Sequence, residues 1–155
     1  QALSNPYTGV AAIMTSRLLH GRPPLIFEDG NQRRDLVHVR DVVSALIASA
    51  RCPAASCYKP INIGTGRSNS ILDIARLLAR TLGRDIEPLL PGEYRQGDIR
   101  HCYADVSRAR ELLGWRAETL LDQGVDELAA WAAGEDAEDR SDQANSELRE
   151  LGIIR

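Results

Sequence analysis

The chain has 155 residues, of which 43% are hydrophobic and 26% are charged, values typical of a globular protein of one domain. Its net charge of −3 at pH 7 excludes the strongly basic proteins that bind nucleic acid nonspecifically or coat a membrane surface, so we expect neither partner. The apolar runs fall far short of the roughly 20 residues of a membrane-spanning helix, and no signal peptide is recognisable.

The cysteines point to the same class of protein. Cys52, Cys57 and Cys102 are odd in number and form no Cys-x-x-Cys pair, which predicts free thiols in a reducing compartment. The histidines are dispersed along the chain, so no metal site is predicted. We therefore expect a cytoplasmic protein without a disulfide framework.

The first predicted elements are a helix and two short strands. Thr8 can cap a helix whose apolar residues recur at helical spacing and which ends at Gly21. Residues 25–27 form a short apolar run that predicts a buried strand closing into a turn at 29–30. Residues 36–39 are a second strand candidate.

Two amphipathic helices follow. Asp41 is predicted to cap the first of them. Its apolar residues repeat at i, i+3, i+4 and i+7 and consist of Val43, Leu46, Ile47 and Ala50. After a strand predicted at 58–63, Ser70 and Asp73 form a capping box for the second helix, which ends at Gly83. Its apolar face consists of Ile71, Ile74, Ala75, Leu78 and Leu82.

Residues 86–100 are rich in proline, glycine and charge, which predicts a functional loop. Asp105 then begins a short helix that ends at Gly114, and Trp115 returns to the core. These elements, with the strands and helices before them, alternate in the manner of an α/β protein.

The end of the chain is predicted to be mainly helical. Thr119 and Asp122 resemble a second capping box. Residues 135–145 are acidic and predicted to be mobile, and Leu148 and Leu151 suggest a last short helix that docks on the rest. Amphipathic helices within 105–133 could alternatively serve as an oligomer interface, which their pattern alone does not distinguish from core packing.

A pair of arginines beside an aspartate, Arg33, Arg34 and Asp35, follows the predicted turn at 29–30. The planar guanidinium binds phosphate oxygens with two parallel hydrogen bonds, which lysine cannot do. The same three residues could equally be a surface ion pair at a loop. The residues therefore leave open a diphosphate clamp and a solvated loop.

Longer motifs decide in favour of a family. Residues 29–41 contain Asp-Gly-x-x-x-Arg-Asp-Leu-Val-x-Val-x-Asp, and 62–66 are Asn-Ile-Gly-Thr-Gly. Residues 95–98 are Arg-Gln-Gly-Asp, and 104–115 run from Ala-Asp-Val-Ser to Leu-Leu-Gly-Trp. In this order they resemble the C-terminal half of an extended short-chain dehydrogenase/reductase of the NAD-dependent nucleotide-sugar epimerase/dehydratase family.

The resemblance implies the C-terminal part of a Rossmann-type α/β fold, which completes the parallel sheet and forms the substrate-binding lobe. Residues 1–134 would be this nucleotide-sugar-binding portion, and 135–155 an acidic tail with a short terminal helix. The implied activity is epimerisation by transient oxidation and hydride return at a sugar carbon, C4. Residues 4–13 and 27–30 resemble the dTDP-L-rhamnose 4-epimerase subfamily. A dehydratase of the same family and a non-catalytic nucleotide-sugar-binding module are the alternatives.

The resemblance also assigns the residues that hold the phosphates and the ribose. Arg34 and Arg95 would grip the diphosphate of a dTDP- or UDP-linked sugar, since two guanidiniums suit two phosphates. Asp98 would accept a hydrogen bond from a ribose hydroxyl. Asp35 would orient Arg34 and the turn behind it.

The base and sugar would meet a second set of residues. Asn62 would lie near the phosphates or the sugar, and Leu25 and Phe27 match the segment that contacts the base, although Phe27 could equally be a plain core residue. His38 is expected to fix local structure rather than perform chemistry. Glu28 departs from the family resemblance, which implies glycine there, and this leaves two alternatives, a different base pocket or a Glu28 side chain that points to solvent.

Two family motifs are absent from this sequence. The glycine pattern that brings a backbone close to a dinucleotide is missing, and 64–69 resembles it only in part because its third glycine is Asn69. No tyrosine is followed four residues later by lysine, so no catalytic, cofactor or metal residue is assigned. The resemblance implies that NAD binds to a missing N-terminal half, that the intact enzyme is a homodimer, and that this chain alone is inactive.

Overall fold

The computed structural model describes residues 9–52, 58–135 and 139–155. Over these residues the elements are, in order, α1 (Val10–Leu19), β1 (Arg33–Arg34), α2 (Val39–Ala50), β2 (Asn69–Ser70), α3 (Ile71–Thr81), β3 (His101–Cys102), α4 (Ser107–Leu113), α5 (Leu121–Ala132) and α6 (Ser141–Glu150). The α/β class predicted from the sequence is confirmed.

The described residues form two compact units. The first contains residues 9–32, 70–100, 125–135 and 139–155, and the second contains 33–52, 58–69 and 101–124. The chain passes between the units several times, so neither unit is a continuous stretch of sequence. We describe each unit separately.

The core of the first unit lies where α1 packs on α3. The side chains of Met14 and Leu18 on α1 and of Ile74 and Leu78 on α3 are almost completely buried. The hydroxyl of Ser70 accepts a hydrogen bond from the Asp73 N–H at 3.0 Å, so the predicted capping box is confirmed. The predicted apolar face of α3 is likewise buried, except that Leu82 is half-buried at the C-cap.

A buried arginine connects α1 to α6 in the same unit. Arg17 is 6% exposed, and its guanidinium donates to the Ser141 hydroxyl at 2.7 Å, to the Asp142 carboxylate at 2.6 Å and to the Pro23 carbonyl at 2.7 Å. Residues 141–145 belong to α6, so the helix begins within the segment predicted to be mobile, and the mobility itself stays a prediction.

Two other predictions in this unit have different outcomes. The predicted cap Thr8 lies outside the described residues, and α1 begins after Gly9. The terminal helix exists, but Leu151 is 72% exposed and Ala144 is the buried apolar side chain. Leu151 therefore does not dock the helix, because it lies beyond the last turn of α6.

A small sheet has the strand order β2-β1-β3, and the strands β1 and β3 belong to the second unit. The strands β1 and β3 are parallel, with Arg33 opposite His101 and Arg34 opposite Cys102. Helices α2 and α4 pack together around Ala45, Ala109 and Trp115. The indole N–H of Trp115 donates to the Ser44 hydroxyl at 2.7 Å, which confirms its predicted return to the core.

The start of α2 differs from the prediction. The strand predicted at 36–39 is wrong, because β1 precedes it and Val39 is already helical. His38 caps the helix by accepting from the Arg40 N–H at 3.2 Å. Asp41 lies in the first turn and accepts instead from the N–H groups of Glu118 and Thr119, at 3.2 and 3.0 Å. The carboxylate thus anchors a distant loop rather than its own helix.

Three further local predictions change. Residues 58–63 form no strand, and within 25–27 only Leu25 pairs, in an isolated parallel bridge with Leu89. A strand persists only where a neighbouring backbone accepts its hydrogen bonds, and apolar composition does not supply that neighbour. The capping interaction of α5 is shifted by one residue, since the Gln123 side chain accepts from the Leu120 N–H at 3.1 Å.

The longest helices among the described residues have 12 residues, and none of the described helices is long enough to cross a membrane.

Candidate functional site

In the first unit, the predicted residues Phe27 and Arg95 form a wall in which the guanidinium lies over the aromatic ring. The Arg95 guanidinium carbon is 5.3 Å from the ring centroid of Phe27, within cation–π range. Both side chains are half-buried. The carbonyl of Phe27 accepts from the buried Gln32 side-chain amide at 2.6 Å, which closes the turn that follows it. Sequence reasoning missed Gln32.

The backbone of Arg95 is held by the end of the chain. Arg95 forms an antiparallel bridge with Ile154, and Tyr94 and Arg155 exchange N–H···O hydrogen bonds of 2.7 and 2.9 Å. The Gln96 N–H donates to the Ile153 carbonyl at 2.8 Å. Pairing between segments so far apart leaves no local pattern, so the sequence did not reveal it.

Asp98 lies in a turn with Arg95. Its N–H donates to the Arg95 carbonyl at 3.2 Å, and Gly97 between them has a φ of +81°, a conformation that favours glycine. The Asp98 side chain is exposed. Leu25, through its bridge to Leu89, belongs to the same unit, so the first unit contains Leu25, Phe27, Arg95 and Asp98.

The remaining predicted residues, Arg34 and Asn62, belong to the second unit. Arg34 is half-buried at the end of β1, and its guanidinium donates to the Arg33 carbonyl at 2.9 Å. Asn62 is exposed, and its side-chain amide donates to the Asp105 carbonyl at 3.3 Å. The joint grip of Arg34 and Arg95 on one diphosphate stays a prediction.

The carboxylate of Asp35 organises the second unit. It accepts from the Thr65 N–H at 3.0 Å, the Thr65 hydroxyl at 2.5 Å, the Gly66 N–H at 2.9 Å and the Ala104 N–H at 3.3 Å. A Cβ on Gly64 would lie 2.6 Å from this carboxylate, so only glycine fits there. Asp35 thus joins the end of β1 to two motifs of the family resemblance.

These bonds also answer whether the loop at 64–69 fits a dinucleotide. The N–H groups of Thr65 and Gly66, which a diphosphate would need, already donate to Asp35. A Cβ on Gly66 would be 3.1 Å from Val106, so this glycine serves close packing. The loop therefore does not fit the diphosphate of NAD.

A cavity of about 650 Å³ lies in the second unit. Its walls mix the apolar side chains of Leu36 and Val106 with the charged side chains of Arg67, Arg116 and Glu118. None of the six predicted substrate-binding residues is among the described residues that line it. Nowhere in the described ranges do three histidine, cysteine, aspartate or glutamate side chains cluster as metal ligands would.

Glu28 has a φ of +54° and an ion-paired side chain. Its carboxylate accepts from the Arg100 guanidinium, which also donates to Asp29 at 2.7 Å. Hydrogen bonds from Arg100 and then from Asn31 hold the pKa of Asp29 well below its usual value. The carboxylate of Glu28 is therefore tied down at the edge of the Phe27 wall.

Comparison with known proteins gives this geometry a context. Residues 3–64 match the NAD dependent epimerase/dehydratase family. Over 137 residues the chain is 41% identical to the dTDP-L-rhamnose 4-epimerase of Burkholderia thailandensis, an alignment that covers 87% of this chain and 37% of that protein. It is 38% identical to the UDP-glucose 4-epimerase of Mycolicibacterium smegmatis, covering 76% of this chain and 36% of that protein.

The chain is also similar to proteins of known structure. The UDP-glucose 4-epimerase of Thermotoga maritima, solved with UDP-glucose, superposes with a TM-score of 0.74 at 35% identity, covering 83% of this chain and 41% of that one. The UDP-glucuronic acid 4-epimerase of Bacillus cereus, solved with UDP-glucuronic acid and NAD, gives 0.75 at 25% identity, covering 83% and 40%. The chain thus spans about two fifths of these structures and little more than a third of the curated relatives.

Proposed function

The chain belongs to the NAD-dependent epimerase/dehydratase family, and on that premise we propose that it is the substrate-binding portion of a nucleoside-diphosphate-sugar epimerase acting at C4 of the sugar. The relatives at 41% and 38% identity are named as 4-epimerases of a dTDP-sugar and a UDP-sugar. We propose the same substrate class here, a sugar linked to dTDP or UDP.

One observation carries the proposal: Arg95 is half-buried over the ring of Phe27 and shares a turn with Asp98. A guanidinium fixed in this way is pre-organised for a phosphate, so little side-chain entropy is lost on binding. In the proposal, Phe27 packs on the base, Leu25 lies beside it, and Asp98 accepts from a ribose hydroxyl.

Arg34 and Asn62 complete the proposed contacts from the second unit. Arg34 would bind the diphosphate together with Arg95, and Asn62 would lie near the phosphates or the sugar. The Asp35 bonds favour this role because they hold the strand end that carries Arg34 against the loop that follows Asn62. A rigid support is what a binding residue requires.

The rest of the enzyme is proposed to lie in an N-terminal half that binds NAD. The apolar residues Val39 and Leu46 on α2 are 67% and 62% exposed, and such a face is typical of a surface that another part of a protein covers. The sequence has one lysine, Lys59, and no tyrosine precedes it by four residues, so we propose that this chain alone is inactive. A homodimer and a cytoplasmic location of the intact enzyme are proposed with it.

The test is calorimetric titration of the 155-residue chain with dTDP and UDP. We expect Arg95→Ala and Arg34→Ala each to weaken binding at least about tenfold, which corresponds to about 1.4 kcal/mol. Each variant would remove one of the two guanidiniums from the phosphates, while the base contacts would remain.

Arg76→Ala is the matched control, because Arg76 is an exposed arginine of the first unit paired with Glu87. It should leave the affinity unchanged. Circular dichroism of each variant establishes that the chain is folded. A folded wild-type chain that binds neither nucleotide would contradict the proposed function, as would binding that Arg95→Ala leaves intact.

A further inference from the structure

Three carboxylates belong to residues within two positions of Phe27 or Arg95, whose side chains form the wall. Glu28 and Asp29 directly follow Phe27, and Glu93 precedes Arg95 by two residues. The Glu28 N–H donates to the Glu93 carbonyl at 2.7 Å, so the two acidic segments run side by side. Unpaired carboxylates in these positions would repel the negative charges of a diphosphate.

Arg100 neutralises the carboxylates of Glu28 and Asp29. One nitrogen of its guanidinium donates to Glu28 and the other to Asp29. The hydrogen bonds with Asp29 and Glu28 raise the pKa of Arg100 above its usual value. The guanidinium therefore stays charged and bridges both acidic side chains.

Arg149, at the end of α6, neutralises the third carboxylate, that of Glu93. It forms two parallel hydrogen bonds with the Glu93 carboxylate, of 3.0 and 2.7 Å. The hydrogen bond from Arg149 lowers the pKa of Glu93, as expected for a paired carboxylate. Arg100 pairs with Glu28 and Asp29, whereas Arg149 comes from a different segment and pairs with Glu93, so each arginine is substituted separately.

We propose, on the basis of the proposed nucleotide-sugar site, that Arg100 and Arg149 are positioning residues that shield this site from the three carboxylates beside it. They neutralise the three carboxylates, so that a diphosphate reaches Arg95 without being repelled. The arginines need not touch the substrate.

The experiment compares ligands of different charge on the full chain. UDP and UMP are titrated into the wild type, Arg100→Gln and Arg149→Gln. We expect each substitution to weaken UDP binding about two- to fivefold, the range of exposed charge pairs, and to weaken UMP binding less because UMP carries fewer charges. Raising the salt from about 50 mM to about 500 mM should reduce the loss, since salt screens exposed charges.

A second pair of variants tests the shield directly. Adding Glu93→Gln to Arg149→Gln removes the carboxylate that Arg149 pairs and should restore most of the lost UDP affinity. Adding Glu28→Gln to Arg100→Gln removes one of the two carboxylates that Arg100 pairs, leaves Asp29, and should restore part of it. An arginine that bound the phosphate itself would not be replaced in this way. Arg76→Gln is the matched control, because Arg76 and Arg100 are both 46% exposed and paired with carboxylates in the same unit.

The outcomes separate this inference from the proposed function. The shield is supported by a loss of affinity that is larger for UDP than for UMP, that shrinks at high salt and that is recovered in the double variants. Equal loss for UDP and UMP, insensitivity to salt, or no recovery in the double variants would overturn it and leave the nucleotide site in place. A folded wild-type chain that does not bind UDP would overturn the proposed function and the shield together.

Discussion

Helices α2 and α3 have similar sequence patterns and opposite burial. Both carry apolar residues at i, i+3, i+4 and i+7. On α3 this face is the core, with Ile74 and Leu78 at 0% exposure. On α2 the equivalent residues Leu46 and Ile47 are 62% and 49% exposed, and the buried residues are Asp41 and Ala45.

The difference shows what a helical pattern does and does not establish. It establishes a helix with one apolar face, because the 3.6-residue period places those side chains together. It does not establish what covers that face. The first unit supplies a partner for α3 in α1, whereas α2 is anchored by a small residue, Ala45, and by a carboxylate.

The prediction with the largest expected effect compares the stability that a buried residue of α3 and an exposed residue of α2 contribute. Leu78→Ala in α3 should lower the free energy of unfolding by about 2–5 kcal/mol, because it leaves a cavity in a closed core. Leu46→Ala in α2 should change it by less than about 0.5 kcal/mol, because that side chain is already in water. Urea unfolding of both variants is the measurement. Equal losses would mean that the face of α2 is covered in solution.

A smaller effect tests the polar anchor of α2. Asp41→Ala removes the acceptor of two backbone N–H groups and should cost about 1.5–3 kcal/mol at neutral pH. Burial by itself would raise the pKa of Asp41, but hydrogen bonds from Glu118 and Thr119 and the nearby His38 outweigh burial, and the pKa lies below its usual value.

The sign of the pH dependence follows from that lowered pKa. The ionised carboxylate stabilises the fold above the unfolded pKa of about 3.9, and this contribution is lost as the pH falls through the lower folded value. The difference between wild type and Asp41→Ala should therefore shrink below about pH 4. Asp126→Ala, at an exposed helical aspartate, is the control and should show no such convergence. A difference that stayed constant with pH would contradict the role given to Asp41.

The smallest effect compares the two helix caps. Ser70→Ala at α3 should cost about 1 kcal/mol, the usual value for a lost serine cap. His38→Ala at α2 should cost less, because its ring nitrogen accepts from the Arg40 N–H at a longer 3.2 Å. Thermal unfolding of the two variants compares them. A larger loss for His38→Ala would show that α2 depends on its first turn more than α3 does.

Several features could be predicted from the sequence because they depend on neighbours within one or two turns. The capping box of Ser70 and Asp73, the apolar face of α3 and the end of α4 at Gly114 are local, and all three predictions are confirmed. The family signatures are also runs of sequence, so the resemblance could be recognised before any contact was known.

Long-range contacts decided the rest. The strands predicted at 36–39 and 58–63 are absent from the described chain because pairing needs a second backbone, and apolar composition does not specify one. For the site, the sequence named Phe27 and Arg95. Their contact depends on pairing with the last residues of the chain, and this pairing leaves no periodic signal.

Asp35 combines a role that the sequence predicted with contacts that only the tertiary structure shows. Its sequence position suggested a partner for the neighbouring Arg34, whereas its carboxylate binds backbone N–H groups about 30 and 69 positions away. By itself the sequence determined the helices, the Ser70 cap of α3 and the family resemblance, since these follow from residues a few positions apart. The tertiary structure alone decided which apolar face is buried and which charges meet, because both depend on segments that only folding brings together.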